Sequence, residues 1–368
     1  MPQLNIDCEG PITQNDNAFE LCEALIPKGG DFFARVSRYD DYLADVEKRK
    51  GYKAGDTLKL ILPFLKAFNV TNEKMESFSE ETLILLPGAR EMLPSVAEIM
   101  PTFIISTSYR PYLEALCRIS GFPEDHVYCT ALDMDRYRLS EADAGTLAGL
   151  VSEIAGQPLL SWPEQAEGPA DLTLGNRKIV ERLDEIFWRV IPRMDIGRIY
   201  RDVNPTGGME KARAVEDSLL RTGLTLADVF YVGDSITDVQ ALKLTAEGGG
   251  IAMSFNGNSY AVRAAEWACI SSDTTIIAAL ADLFKSNGME SLDSMFKNAG
   301  SDEMAGTRLA GALARRGVEQ SLLPPVDTAM ELDTPVIYKI SVSNMDHIIE
   351  KSENMRKNVR GVRVGQLG

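Results

Sequence analysis

Short apolar runs recur along the chain, and each ends in small or polar residues. They are "LNID" at Leu4, "TFIIS" at Thr102, "HVYCT" at His126, "VFYVGD" at Val229 and "GGIAMSF" at Gly249. Runs of this length, closed by such residues, predict buried strands. Between them the apolar spacing changes to three and four. "RPYLEALCRISG", "MEKARAVEDSLLRTGL" and "TDVQALKLTAEGGG" each predict a helix that stops at glycine. Strands alternating with helices predict an α/β fold with a mostly parallel sheet.

The alternation is interrupted twice. Residues 14–87 read as mostly helical, with "DDYLADVEKRKG" the clearest amphipathic segment. Residues 139–201 open on a helix that Ser140 would cap, pass through the loop "GQPLLSWPEQAEGPAD" and continue in the helix "NRKIVERLDEIFWRVI". Insertions of this size fit modules hung on loops of a core sheet. The core is then 1–13, 88–138 and 202–286, with insertions at 14–87 and 139–201. Residues 287–368 read as an extension outside the core.

Composition narrows the classes. The chain has 368 residues, 45% of them hydrophobic, enough for a real core. Its net charge of -16 argues against a nucleic-acid binder, and "EKRKGYK" near Lys48 and the basic tail at Arg356 to Arg363 read as solvated surface. Five scattered cysteines with no C-x-x-C read as free thiols of a reducing compartment. No signal peptide and no membrane-length apolar stretch are visible. The expectation is a cytoplasmic protein that binds neither nucleic acid nor membrane.

Polar groups at the carboxyl ends of parallel strands converge on one sheet edge, where such sheets bind ligands. Here they are Asp7 and Glu9, then Ser106, Thr107 and Ser108, then Asp234, Ser235 and Asp238, with Lys211 near a helix start. Carboxylates this close repel one another. A divalent cation and one lysine relieve the repulsion, and an oxygen-only ligand set favours Mg²⁺. A carboxylate can attack phosphorus, and a second acid two residues on can move the proton. Ser106 can hold a phosphoryl oxygen, and Lys211 can offset developing charge.

"IDCEGPIT", "FIISTSYRPYL", Lys211 and "YVGDSITDVQAL" resemble the four ordered motifs of the haloacid dehalogenase-like (HAD) phosphohydrolase superfamily. The resemblance covers about half the chain. It implies a Rossmann-like, doubly wound core with cap insertions where the two interruptions fall, the first of them helical. It implies Asp7 as nucleophile and Mg²⁺ ligand, and Glu9 as acid/base with a backbone carbonyl on the metal. Ser106, or Thr107 beside it, and Lys211 would hold phosphate. Asp234 and Asp238 would complete the metal site. The implied substrate is a small phosphorylated metabolite. The first motif and "STSY" also look like an archaeal branch labelled subunit R of an energy-converting hydrogenase.

One departure stands out: Glu9 lies where phosphatases of the superfamily carry Asp. A displacement near 1 Å can cost about a hundredfold in rate. A catalytically weak binding or regulatory subunit is therefore the alternative, with a phosphotransferase or mutase as a third reading. The C-terminal extension would serve a protein partner or a homo-oligomer. Plainer readings apply elsewhere. One of Ser106, Thr107 and Ser108 would cap the next helix. Asp238 would favour the positive end of its own helix. Alternation points Cys8 away from the two acids into a buried, small apolar role. His126 and His347 read as structural or surface residues, and Phe187 and Trp188 as cap core.

Overall fold

A computed structural model describes residues 1–163, 165–327 and 334–365. Glu164 of the acidic loop, and residues 328–333 and 366–368 of the C-terminal extension, lie outside the described residues. One eight-stranded sheet organises the chain: β1 (Gln3–Ile6), β2 (Thr102–Tyr109), β3 (Val127–Thr130), β4 (Val229–Gly233), β5 (Ile251–Phe255), β6 (Trp267–Ile270), β7 (Glu303–Ala305) and β8 (Val336–Lys339). Their spatial order is β3-β2-β1-β4-β5-β6-β8-β7. The first six are parallel, and β8 pairs antiparallel with both β6 and β7. The expected α/β class, with its mostly parallel sheet, is the architecture observed. The sixth strand carries no apolar run anticipated above.

Both faces of the central strands are covered, which is why most of their residues are apolar. Phe230 and Val232 face one layer, and Val229 and Tyr231 face the other. On β1 the second face is polar: the Gln3 amide donates to Asn5 and to Ser218, each at 2.8 Å. β1 lies between β2 and β4, so its carboxyl end opens at the middle of the sheet edge. The predicted glycine stops hold. The Arg110–Ser120 and Met209–Thr222 helices end on Gly121 and Gly223, both left-handed.

The two insertions pack into one helical body. Phe32, Tyr39 and Phe64 from the first share a core with Leu147, Ile179 and Phe187 from the second. Tyr39 and Phe187 stack with centroids 5.8 Å apart, and the Trp188 indole donates to the Tyr39 hydroxyl at 2.9 Å. Ser140 caps its helix through the Asp143 amide. The amphipathic segment starts earlier than its sequence suggested and stops short of the basic run: the Gly29–Asp41 helix leads into a π turn at Tyr42–Val46.

The residues after 287 do not lie outside the core. β7 and β8 widen the sheet, and Met295, Phe296, Leu309 and Leu313 join the main core. The Met345–Arg360 helix then runs back over the sheet edge. Its stripe of Ile348, Ser352 and Arg356, spaced by four, is buried, and Arg360 continues it. β8 pairs with a strand more than sixty residues away in sequence, a partnership that local patterning does not encode. No helix among the described residues is long and apolar enough to cross a membrane.

Candidate active site

The residues singled out from sequence meet at the carboxyl edge of β1, β2 and β4. Asp7 follows β1 and is 5% exposed. One of its oxygens accepts the Cys8 amide at 2.7 Å, and the other pairs with the Lys211 ammonium at 2.7 Å. Lys211, on the first turn of the Met209–Thr222 helix, has no exposed surface and also pairs with Asp238 at 2.7 Å. Burial alone would lower the Lys211 pKa, but Asp238 and Asp7 outweigh it and raise it. Burial drives the Asp7 carboxyl upward, against the pull of Lys211.

Asp238 anchors the loop that presents Asp234. One oxygen takes Lys211 and the Tyr231 hydroxyl, and the other takes the amides of Asp234 and Ser235 at 3.0 and 3.1 Å. Its helix-start position thus caps the Ile236–Asp238 turn while its charge faces Lys211. Asp234 itself meets the backbone of the first motif: a Cβ on Gly10 would fall 2.2 Å from its Oδ2, and Gly10 sits at φ +108°. Glycine at this position lets the Asp234 carboxylate approach β1.

Ser106 is buried and lines the cavity, its hydroxyl accepting the Ser108 amide at 3.2 Å. The Thr107 hydroxyl is engaged elsewhere, on the Thr206 carbonyl at 3.0 Å. None of Ser106, Thr107 or Ser108 caps a helix: β2 runs on to Tyr109, which precedes the Arg110–Ser120 helix without a side-chain cap. Glu9 also lines the cavity, and its Oε1 accepts the Asn17 amide at 2.7 Å, tying the second acid to the first cap helix. Burial, then the Asp16 charge, push its carboxyl well above the usual range, against Arg360. Cys8 points away into the core, as alternation predicted.

The helical body partly covers the site. Gly55, at φ +89°, brings its loop against Thr107 and Thr237, whose methyls would lie 3.1 Å from an added Cβ. Beneath it lies a cavity of about 90 Å³ lined by both core and cap residues.

Sequence reasoning missed two arginines. Arg356 pairs with Asp234 and donates to its carbonyl at 3.3 Å. Arg360 reaches the same carboxylate at 3.1 Å and donates to the Gln14 and Asn15 carbonyls at the start of the cap. The i, i+4 spacing was readable, but not the helix's return to the sheet edge.

The oxygen ligand atoms of Asp7, Asp234 and Asp238 lie within 4.8 Å of one another, a donor set that suits a hard divalent cation. Asp7 and Asp234 present that set, and Asp238 supports it from behind. The three carboxylates already face three cationic groups, Lys211, Arg356 and Arg360. Removing both guanidinium groups by Arg356→Met with Arg360→Met is expected to tighten divalent-cation binding at least about tenfold, read by Mn²⁺ titration with a melting curve as control. Weaker binding in a folded variant would instead make the arginines the groups that hold Asp234 in place.

The chain aligns over its full length with a solved structure described as gene product AF1437 from Archaeoglobus fulgidus, at 28% identity, a TM-score of 0.79 and 99% of that chain covered. It therefore shares that protein's fold. A phospho-aspartyl intermediate analogue of phosphoserine phosphatase aligns at 12% identity and a TM-score of 0.42, covering 73% of this chain and 91% of that one. A HAD family hydrolase from Salmonella enterica serovar Typhi aligns at 11% identity and a TM-score of 0.40, covering 70% of this chain and 62% of that one. The last two likenesses are too weak to bear on function. No family model and no curated protein matches the chain.

Proposed function

We propose that the chain is a HAD-type phosphohydrolase that cleaves a small phosphomonoester through an aspartyl-phosphate at Asp7. The observation that carries this reading is the convergence of Asp7, Lys211, Asp234 and Ser106 at the mouth covered by the helical insertions. An Asp7 oxygen would attack phosphorus as the bond to the alcohol oxygen breaks, and Glu9 would give that oxygen its proton. Water would then attack the phosphoryl group, pass its proton to Glu9 and release phosphate from Asp7. Ser106 would hold a phosphoryl oxygen, and Lys211 would orient Asp7 and favour its ionised form against burial. Mg²⁺ held by Asp7 and Asp234, with Asp238 behind them, would supply charge stabilisation for the transferring phosphoryl group. Cap closure would keep bulk water from the reaction.

The test is hydrolysis of a generic aryl phosphate. Activity is expected with Mg²⁺ and loss of activity in a chelator. Turnover that is independent of added metal and insensitive to chelation would overturn the metal part of this reading. A second reading, a catalytically weak binding or regulatory subunit, draws support from the two arginines on Asp234 and from the hydrogen bond that holds Glu9 to the cap. It predicts no turnover on any phosphate ester even when a divalent cation is shown to bind.

A further inference from the structure

The cavity has two chemically distinct halves. Its core half presents the groups assigned above to phosphate and metal, with Arg356 and Arg360 beside them. Its cap half is acidic. Asp40 and Asp41 reach it from the last turn of the Gly29–Asp41 helix, with Ser37 one turn earlier. Thr57, at the start of the Thr57–Leu60 helix, lines the same cavity, and Phe33 and Leu58 supply apolar wall. Asp16 also lines the cavity, but its carboxylate caps the Phe19 amide at 3.0 Å and faces Arg360.

Asp40 and Asp41 are short of positive charge. The partners of Asp40 are neutral donors, the Tyr52 hydroxyl at 2.5 Å and the Gly55 amide at 3.0 Å. Asp41 has Arg38 at 3.5 Å, but that guanidinium also lies 3.6 Å over the Trp162 ring and donates to the Leu160 carbonyl. Burial pushes Asp40 up to about 7, and Asp41 up to about 6 against the pull of Arg38.

A second observation is independent of these acids. Thr57 is 3% exposed, and its hydroxyl has no hydrogen-bond partner. A buried polar atom left unpaired is destabilising, and a ligand donor would relieve it. Asp40, Asp41 and Thr57 together offer three acceptors. A primary ammonium carries three donors and one positive charge.

We infer that the cap half of this cavity binds a cation, and that the substrate is a small phosphomonoester whose alcohol carries a protonated primary amine. This rests on the phosphohydrolase reading of the core half. The phosphate would lie toward Asp7 and Ser106 and the ammonium between Asp40, Asp41 and Thr57. The cavity of about 90 Å³ suits a short-chain alcohol.

The test compares esters of similar size and different charge: 2-aminoethyl phosphate, n-propyl phosphate and 2-phosphoglycolate, each with Mg²⁺ and the full chain. The kcat/KM for the aminoethyl ester is expected to exceed that for the propyl ester at least about tenfold. Asp40→Asn should bring that ratio to within about twofold of unity, and Thr57→Val should cut it severalfold. The second variant removes one oxygen with little change of shape, so it decides the matter if Asp40→Asn does not fold. Equal rates, or a preference for the propyl ester or phosphoglycolate, would overturn the inference. If neither these esters nor an aryl phosphate turns over, the phosphohydrolase reading fails. Calorimetric binding of the same esters then decides the cation site by itself: tighter binding of the aminoethyl ester, lost in Asp40→Asn, sustains it, and equal or weaker binding refutes it.

Discussion

Asp7→Asn is expected to lower turnover of an aryl phosphate by about 10⁴-fold or more, with the fold intact. An amide of the same shape cannot form the acyl phosphate, so the covalent route is lost and not merely slowed. The fold should survive because Lys211 keeps Asp238 as a partner at 2.7 Å. The substitution also removes a carboxylate whose ionised form burial disfavours. Initial rates with Mg²⁺, a melting curve and mass spectrometry of acid-quenched protein check this together. The native protein should carry a phosphoryl group on the peptide containing Asp7, and the variant none. A folded variant retaining a tenth of native activity would remove Asp7 from the nucleophile role.

That prediction uses residues legible in the sequence, and the reason they are legible is physical. Asp7 and Asp234 follow the last residues of short apolar strands, and Ser106 follows the apolar run of β2, although that strand itself continues to Tyr109. The end of each apolar run is therefore enough to place them at one edge. Lys211 needed only a helix start after the second insertion. The Gly121 and Gly223 stops were equally local. What stayed hidden depends on distant pairing. β8 joins β6 across some sixty-five intervening residues, and only that pairing lets the Met345–Arg360 helix carry Arg356 and Arg360 to Asp234. The basic tail read as solvated surface because its charges lacked visible partners. Those partners are Asp234 and the Gln14 and Asn15 carbonyls, more than a hundred residues away in sequence. The acidic cap half was hidden for the same reason. Asp40, Asp41 and Thr57 belong to ordinary helical turns until the cap folds over the edge.

The same charge arithmetic makes Lys211→Met the most destabilising substitution expected in the site. Lys211 is fully buried and lies 2.7 Å from both Asp7 and Asp238, so its loss strands two buried carboxylates. Removing one partner from a buried ion pair costs about 3–5 kcal/mol. Burial would raise the Asp238 pKa, but Lys211, followed by Tyr231 and backbone amides, outweighs it and lowers the value. A lowered carboxylate contributes stability above its ordinary value of about 4 and loses it as pH falls through the native value. Native Asp238 therefore stays charged down to a pH below about 4. In the variant, burial without Lys211 makes both carboxylates protonate above that value. The stability gap between native protein and variant should thus be widest at and above neutral pH and should narrow by pH 4.5, as the variant is relieved of their charge. Urea titrations at pH 7 and pH 4.5 read this directly. Millimolar Mg²⁺ should narrow the gap at pH 7, because a cation bound to Asp7 and Asp234 restores part of the missing positive charge. A variant as stable as the native protein at pH 7 would mean that these carboxylates carry no charge there, and the ion-pair account of the site would have to be abandoned.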